Sequence, residues 1–218
     1  NRMIAQNYIT VGSDSILNTT TSYPSPYGNY YFGNKSQFLI TANDLLSTGA
    51  YAGSIASISF DVAAISTVSL NDFTVKIGMT SDTVITTWHS NLTTVSYDSS
   101  YTDVLGWNEH TFNFPFTWDG VSSIVIETCF NNTSYVNNAI VKQSNTTYSS
   151  TIERHADQAG VCASTTSPTS YSKRPNIRFG FASSRPLDVG VFGIHSPTAP
   201  AAPGTHSVDV KLANYGIN

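Results

Sequence analysis

The stretch Phe73-Thr74-Val75-Lys76-Ile77-Gly78-Met79-Thr80 decides the fold class of this chain. Large apolar side chains occupy every second position, and polar or small residues stand between them. Successive side chains of a β-strand point to opposite faces of a sheet, so this alternation predicts a half-buried strand. We expect Phe73, Val75, Ile77 and Met79 to face a core that other strands of the chain complete.

The same period recurs on both sides of this stretch. Ile55, Ile58, Phe60 and Val62 indicate a strand that ends near Ala64. Further strands are predicted at 37–41, 92–97, 138–143, 151–155 and 176–181. One short helix is predicted at 42–48, with Gly49 as its C-terminal stop.

Two more strands surround an Asp-Gly pair. Phe112, Phe114 and Phe116 repeat the period of two, and the apolar run 124–130 favours a central strand that is buried on both faces. Asp119-Gly120 between them predicts a hairpin turn. Many short strands separated by Ser, Thr, Asn and Gly predict an all-β fold, an antiparallel, jelly-roll-like β-sandwich with at most one short helix.

The composition excludes several classes of protein. Ser, Thr and Asn total 75 of 218 residues, the charged residues are only 11%, and the formal net charge is −4. Without a cluster of Lys and Arg the chain lacks the footprint of a nucleic-acid binder. No apolar run approaches the ~20 residues of a membrane span. A polar surface made of hydroxyls and amides favours a secreted or surface-exposed protein.

Cys129 and Cys162 are the two cysteines of the chain. In an extracellular protein such a pair predicts one disulfide. Two separate buried thiols are the alternative. No Cys/His spacing indicates a zinc site.

The sequence contains no motif typical of an enzyme. It lacks a G-x-S-x-G elbow, an H-E-x-x-H helix and a phosphate-binding loop, and its five histidines are scattered. We therefore expect no catalytic residues, no metal ligands and no enzymatic activity. Calcium is a weaker hypothesis, since loops of β-sandwiches hold such ions and Asp98, Asp103 and Asp119 could supply oxygen ligands.

Several charged residues lie in strand-like runs. Glu127 lies inside the apolar run 124–130, where a carboxylate needs a partner, and Arg174 or Arg178 is the expected one. The pair Glu109-His110 and the run 153–157 are interpreted as exposed charge at strand edges.

Residues 23–33 form the most distinctive local feature, an aromatic loop punctuated by two prolines and two glycines. One hypothesis is a carbohydrate-binding platform, in which tyrosine rings stack on sugars and Asn29 donates hydrogen bonds. Its candidate ligand-binding residues are Tyr23, Tyr27, Asn29, Tyr30 and Tyr31. The alternative, which we favour, is that these rings plug one end of the sandwich.

The pattern changes at residues 183–186, which we interpret as a linker after a first domain at 1–182. Two strands follow in 187–218, and two strands alone bury no core. They are expected to open a second, truncated domain. The alternative is that they complete another sheet by strand addition, as in a surface filament or homopolymer.

Residues 10–182 resemble a module of very large secreted cell-surface proteins of Bacteroidota. The segments that carry the resemblance are 23–33, 37–40, 73–78, 106–112, 115–120, 126–131 and 174–181. Residues 188–216 resemble the first strands of the Ig-like adhesin domains that follow such modules.

The resemblance implies a non-catalytic structural or adhesive module of an exported protein, with type IX secretion as the expected route. Its implied partners are surface glycans or neighbouring domains of the same large protein. Proteins of this kind are O-glycosylated at Asp-Ser/Thr-apolar triplets, which makes Ser15 and Thr83 candidate sites. The resemblance assigns no catalytic residue.

Overall fold

The computed structural model describes residues 6–182, 189–197 and 203–214. Gln6–Ala182 form one compact unit, and the described residues beyond 182 belong to a second. The linker expected at 183–186 lies outside the described residues, as do residues 1–5, 187–188, 198–202 and 215–218.

The first unit is built almost entirely from strands. In chain order its elements are β1 (Gln6–Val11), β2 (Ile16–Leu17), β3 (Gly33–Ile40), α1 (Ala42–Ser47), β4 (Gly53–Ala64), β5 (Leu70–Thr80), β6 (Thr93–Tyr101), β7 (Gly106–Trp118), β8 (Ser123–Asn131), β9 (Ile140–Asn145), β10 (Thr151–Ala156), a 3₁₀ turn (Val161–Ala163), β11 (Thr169–Tyr171), β12 (Lys173–Pro175) and β13 (Ile177–Ala182). The predicted all-β fold is confirmed.

These strands pair antiparallel in two sheets. Sheet I has the order β1-β13-β4-β9-β12, with β7 also paired to β4 and β2 to β9. Sheet II has the order β11-β10-β3-β8-β5-β6. Sequence neighbours such as β7 and β8 belong to different sheets, so the chain crosses repeatedly between the two layers.

The main core lies between the sheets. Sheet I contributes Phe60 and Phe179, sheet II contributes Phe38 and Phe73, and all four rings are buried in one cluster. Ile58, Phe60 and Val62 are buried as the period predicts, and Ile55 is buried beyond a change of register between Ile55 and Ser57.

Sheet II is also covered on its outer face. Leu39 and Val125 point away from the main core and form a second cluster with Ile85 and Ile152. This second layer explains why β3 and β8 are buried on both faces, as the apolar run 124–130 predicts for β8.

The short helix is specified locally. Thr41 and Asp44 form a capping box, in which the Asp44 amide donates to Thr41 Oγ1 and the Thr41 amide donates to the Asp44 carboxylate. The chain leaves the helix through Gly49, whose φ of 87° is the left-handed conformation that glycine adopts at low cost. No helix in the described part of the chain is long and apolar enough to cross a membrane.

Three sequence predictions were wrong in detail. Met79 is 42% exposed rather than part of the core. Phe114 is 81% exposed, because the β4–β7 pairing shifts between Ile55 and Ser57 and releases this part of β7 from the regular period. Asp119-Gly120 does form a turn, but it joins the two sheets instead of two paired strands.

The second unit contains an antiparallel pair of strands, β14 (Val189–Ser196) and β15 (Asp209–Asn214). Ile194 and Leu212 are more than half exposed. The two strands pair with each other within one chain. That they open an Ig-like domain stays a prediction.

Candidate functional site

A row of polar side chains crosses the outer face of sheet II. The strand register places Gln37 of β3 and Lys76 of β5 on either side of Glu127 of β8. Glu127 Oε1 lies 2.8 Å from Lys76 Nζ, and Glu127 Oε2 accepts a hydrogen bond of 2.7 Å from Gln37 Nε2. Lys35 Nζ is 3.9 Å from the same carboxylate. Glu127, only 2% exposed, is therefore neutralised within its own face of the sheet.

The expected partners of Glu127 are engaged elsewhere. Arg174 forms an ion pair of 3.2 Å with Asp44 and donates to the carbonyl of Leu39. The Arg178 guanidinium lies over the rings of Tyr8 and Trp107, on strands of sheet I. The prediction that either arginine pairs with Glu127 was wrong, because both arginines leave strands β12 and β13 of sheet I whereas Glu127 faces outward from sheet II.

The disulfide fixes one wall of a cleft over this face. Cys129 and Cys162 are bonded, with Cα atoms 5.6 Å apart, which confirms the predicted pair. Cys129 points outward beside Lys35, its cross-strand neighbour on β3, so the bond holds the segment after the 3₁₀ turn against sheet II. Lys35 Nζ donates to the carbonyl of Ser164 in that segment, at 3.2 Å.

The opposite wall is the connection between β5 and β6, residues 81–92. Gly78 of β5 allows its close approach, since a Cβ at this position would lie 2.6 Å from the Asn91 carbonyl oxygen. Ile85 anchors the connection in the outer cluster, and its backbone amide donates to the Ser149 carbonyl. Trp88 bridges the two walls by donating from Nε1 to the Thr166 carbonyl, at 2.8 Å.

Between these walls lies a hollow of about 450 Å³, which we call the Trp88 cleft. Its floor is Lys35, and its walls are formed by residues 86–90 and by Ser164, Thr165, Ser167 and Pro168. Six of the ten lining residues carry hydroxyl groups. Two smaller hollows adjoin it and share His89 with it.

The Trp88 cleft contains basic groups but no carboxylate of its own. Lys35 Nζ lies 4.3 Å from the centre of the Trp88 ring. Burial lowers the pKa of Lys35 and Lys76 lowers it further, whereas Glu127 raises it. The acidic residues Asp82 and Glu127 line the adjoining hollows, and Asp82 lies 3.2 Å from His89 Nε2.

No family model, no curated protein and no solved structure matches this chain.

The aromatic loop lies mainly inside the sandwich. Tyr27 is fully buried between Phe60, Phe73 and Tyr101, and its hydroxyl lies 2.7 Å from His110 Nε2. Such a ring cannot stack on a sugar at the surface, so the ligand-binding role predicted for Tyr27 was wrong.

Tyr23 and Asn29 are also buried and have structural partners. The Tyr23 hydroxyl donates to the Gly28 carbonyl, and the Asn29 amide donates to the carbonyls of Tyr31 and Ser134. Their predicted roles as sugar-stacking and sugar-binding side chains are wrong for the same reason. Both side chains instead stabilise the loop that closes this end of the sandwich.

Four other rings lie partly exposed at this end, and we call them the aromatic edge. They are Tyr30, Tyr31, Phe32 and Tyr135, of which Tyr135 is 54% exposed. The Tyr31 ring stacks on His155 with centroids 4.1 Å apart, and Phe32 stacks on Tyr135 at 6.0 Å. Of the five candidate ligand-binding residues of the loop, Tyr30 and Tyr31 are thus partly exposed.

The charges interpreted as strand-edge residues are only partly exposed. Glu109 is exposed and accepts from the Tyr8 hydroxyl, but His110 is 5% exposed in the core. Burial lowers the pKa of His110 to about 4, opposed by Asp98. Glu153 is 1% exposed because β10 lies between β3 and β11, and it accepts from His155 and Tyr171. For His110 and Glu153 the interpretation was wrong.

The three aspartates considered for calcium accept hydrogen bonds from backbone amides. Asp103 accepts from the Ser66 amide, Asp98 accepts from the Ser100 amide, and Asp119 accepts from the amides of Val121 and Ser122. Residues 6–182, 189–197 and 203–214 contain no group of three or more His, Cys, Asp or Glu residues that could hold a metal ion. The candidate O-glycosylation residues Ser15 and Thr83 are both exposed.

Sequence reasoning missed the Trp88 cleft. Its one sequence signal is a tryptophan inside the polar connection 81–92, where an apolar ring has no strand period to explain it. Lys35 carries no such signal, since its position opposite Trp88 depends on sheet order and on the disulfide.

Proposed function

We propose that this protein is a non-catalytic adhesive module of an exported cell-surface protein, and that it attaches to a saccharide through the Trp88 cleft. The observation that carries the proposal is the lining of the cleft. An indole, several Ser and Thr residues and one lysine line the same hollow. Binding sites for small molecules combine an aromatic surface with a few placed polar groups in this way.

The state of the nearby carboxylates supports binding without turnover. Hydrolysis of a glycoside commonly uses a pair of carboxyl groups, one acting as an acid and one as a base or nucleophile. Glu127 is held by Lys76 and Gln37, and Asp82 is paired with His89. Neither carboxylate lines the main hollow.

The disulfide supports the extracellular part of the proposal. Such bonds persist in oxidising compartments and are rare in the cytosol of most organisms. Here the bond also fixes the wall of the cleft that carries Ser164. The polar surface of hydroxyls and amides is consistent with contact to glycans or to neighbouring domains.

The aromatic edge is a second candidate site for a saccharide. Tyr30, Tyr31 and Tyr135 expose part of their rings, which suits stacking on a sugar. The Trp88 cleft is the stronger candidate because its indole and its Ser and Thr residues line a hollow of about 450 Å³. The filament hypothesis would use the outer edges of the β14–β15 pair for strand addition.

Glycan-array binding of the full chain tests the proposal, with recovery of the glycan by mass spectrometry. We expect wild type to bind a saccharide that is recovered intact, and Trp88→Ala to lose this binding. Trp107→Ala is the matched control, because it removes an indole that packs against Arg178 outside the cleft.

Three results would overturn the proposal. Unchanged binding by Trp88→Ala would move the site away from the cleft, and loss of binding in Tyr30→Ala would assign it to the aromatic edge. Recovery of shortened glycans would replace adhesion by catalysis.

A further inference from the structure

Lys35 occupies an unusual position on the floor of the Trp88 cleft. The residue is 9% exposed, although lysine is almost never buried without a partner. Alternation along β3 directs its side chain to the outer face, where it lies between the Trp88 ring and the Ser164 carbonyl. Its ammonium group therefore faces the hollow from below.

The charges on this face do not balance. Glu127 is the only carboxylate in the row formed with Gln37 and Lys76, and it has close contacts with both of them. Lys35 Nζ lies at 3.9 Å, beyond hydrogen-bonding distance. Lys35 and Lys76 thus share one carboxylate, and Arg154, in register with Lys35 on β10, adds a further positive charge to this face.

Lys35 also has unused hydrogen-bonding capacity. An ammonium group has three donors, and the structure shows one hydrogen bond for Lys35, to the Ser164 carbonyl. A cation over an indole is stabilised by the ring, but the ring accepts no second ordinary hydrogen bond. The lowered pKa of Lys35 agrees with this incomplete compensation.

We propose that the Trp88 cleft selects saccharides that carry an anionic substituent, a carboxylate or a sulfate ester, and that Lys35 binds this substituent. The inference rests on the proposed function and names its ligand class. The main hollow contains no Asp or Glu that would repel an anion. The hydroxyls of Thr86, Thr87 and Ser167 remain for the sugar ring, which favours a saccharide over an acidic peptide.

Lysine does not distinguish the two anions by geometry, because its ammonium group acts as a point charge. The probes must separate them. Titration calorimetry of the full chain compares three polymers. Alginate is a polyuronate, carrageenan is a sulfated galactan, and laminarin is a neutral glucan. Poly-glutamate serves as an acidic polymer without sugar.

We expect wild type to bind alginate or carrageenan about tenfold more tightly than laminarin at moderate ionic strength, with a preference that falls as salt is added. Lys35→Gln should remove the preference, so that this variant binds alginate or carrageenan no more tightly than it binds laminarin. Lys35→Arg keeps the charge and should retain it. The salt dependence of wild type provides a readout that needs no variant.

The outcomes separate the inference from the proposed function. Laminarin binding that requires Trp88, without any preference for acidic polymers, would overturn the inference and leave the adhesive function in place. No binding of any saccharide would overturn both. Poly-glutamate binding as tight as alginate binding would replace the saccharide by an acidic peptide.

Discussion

Buried His110 should make the stability of the protein fall as the solution becomes mildly acidic. Its imidazole is enclosed by Tyr27, Phe73 and Tyr101, and burial lowers its pKa to about 4. In the unfolded chain the imidazole has a pKa of about 6.5. Between these values the unfolded state binds a proton that the folded state excludes.

The sign and size follow from linkage. Stability that depends on neutral His110 is present above about pH 6.5 and is lost as the pH falls towards 4, where the folded state also takes up the proton. Between pH 7 and pH 5 the titration of His110 therefore lowers the free energy of unfolding by about 2 kcal/mol.

Urea unfolding at pH 7 and pH 5 measures the effect. We expect wild type to lose about 2 kcal/mol more than His110→Gln, whose amide keeps a polar group beside Tyr27 but does not titrate. His195→Gln, which removes an exposed imidazole, is the control and should behave as wild type. An equal loss in wild type and His110→Gln would refute the buried neutral imidazole.

Three further predictions concern the elements that build the cleft. Replacing both Cys129 and Cys162 by Ala should lower the free energy of unfolding by about 4 kcal/mol, from a closed loop of 33 residues; an unchanged urea midpoint would contradict this. Glu127→Gln leaves Lys35 and Lys76 facing a neutral amide and should lower the free energy of unfolding by about 3 kcal/mol. The control is Glu109→Gln at an exposed position, which should lower it by less than about 0.5 kcal/mol. Similar costs for the two variants would rule out the buried pair. Gly78→Ala should lower the free energy of unfolding by about 1–3 kcal/mol, because its Cβ would meet the Asn91 carbonyl. Gly53→Ala is the control, since a Cβ there would have no atom closer than 3.8 Å. Equal losses in the two variants would disprove the close approach of the connection 81–92.

The alternation of apolar residues was sufficient to predict the strands and the class of fold. Phe73, Val75 and Ile77 are buried as expected, because a period of two directs them all to one face. The pattern failed at Phe114, where a change of register breaks the period. Periodicity within one strand carries no information about such a shift.

The site was harder to predict because its residues meet through sheet order. Glu127 was recognised as a buried carboxylate, but its partner depends on which strands flank β8. Sequence alone does not rank Lys76 above Arg174. The same holds for Tyr27 and Tyr30, which are close in the chain, although Tyr27 is fully buried and Tyr30 is partly exposed.

Chemical-shift mapping of the full chain by NMR, with laminarihexaose and with an alginate hexamer, tests the saccharide-binding cleft most directly. The account predicts that the bound hexamer shifts the amides of residues 86–90 and 164–167, together with the Trp88 indole. Shifts confined to Tyr30, Tyr31 and Tyr135, or no shifts with either hexamer, would contradict it.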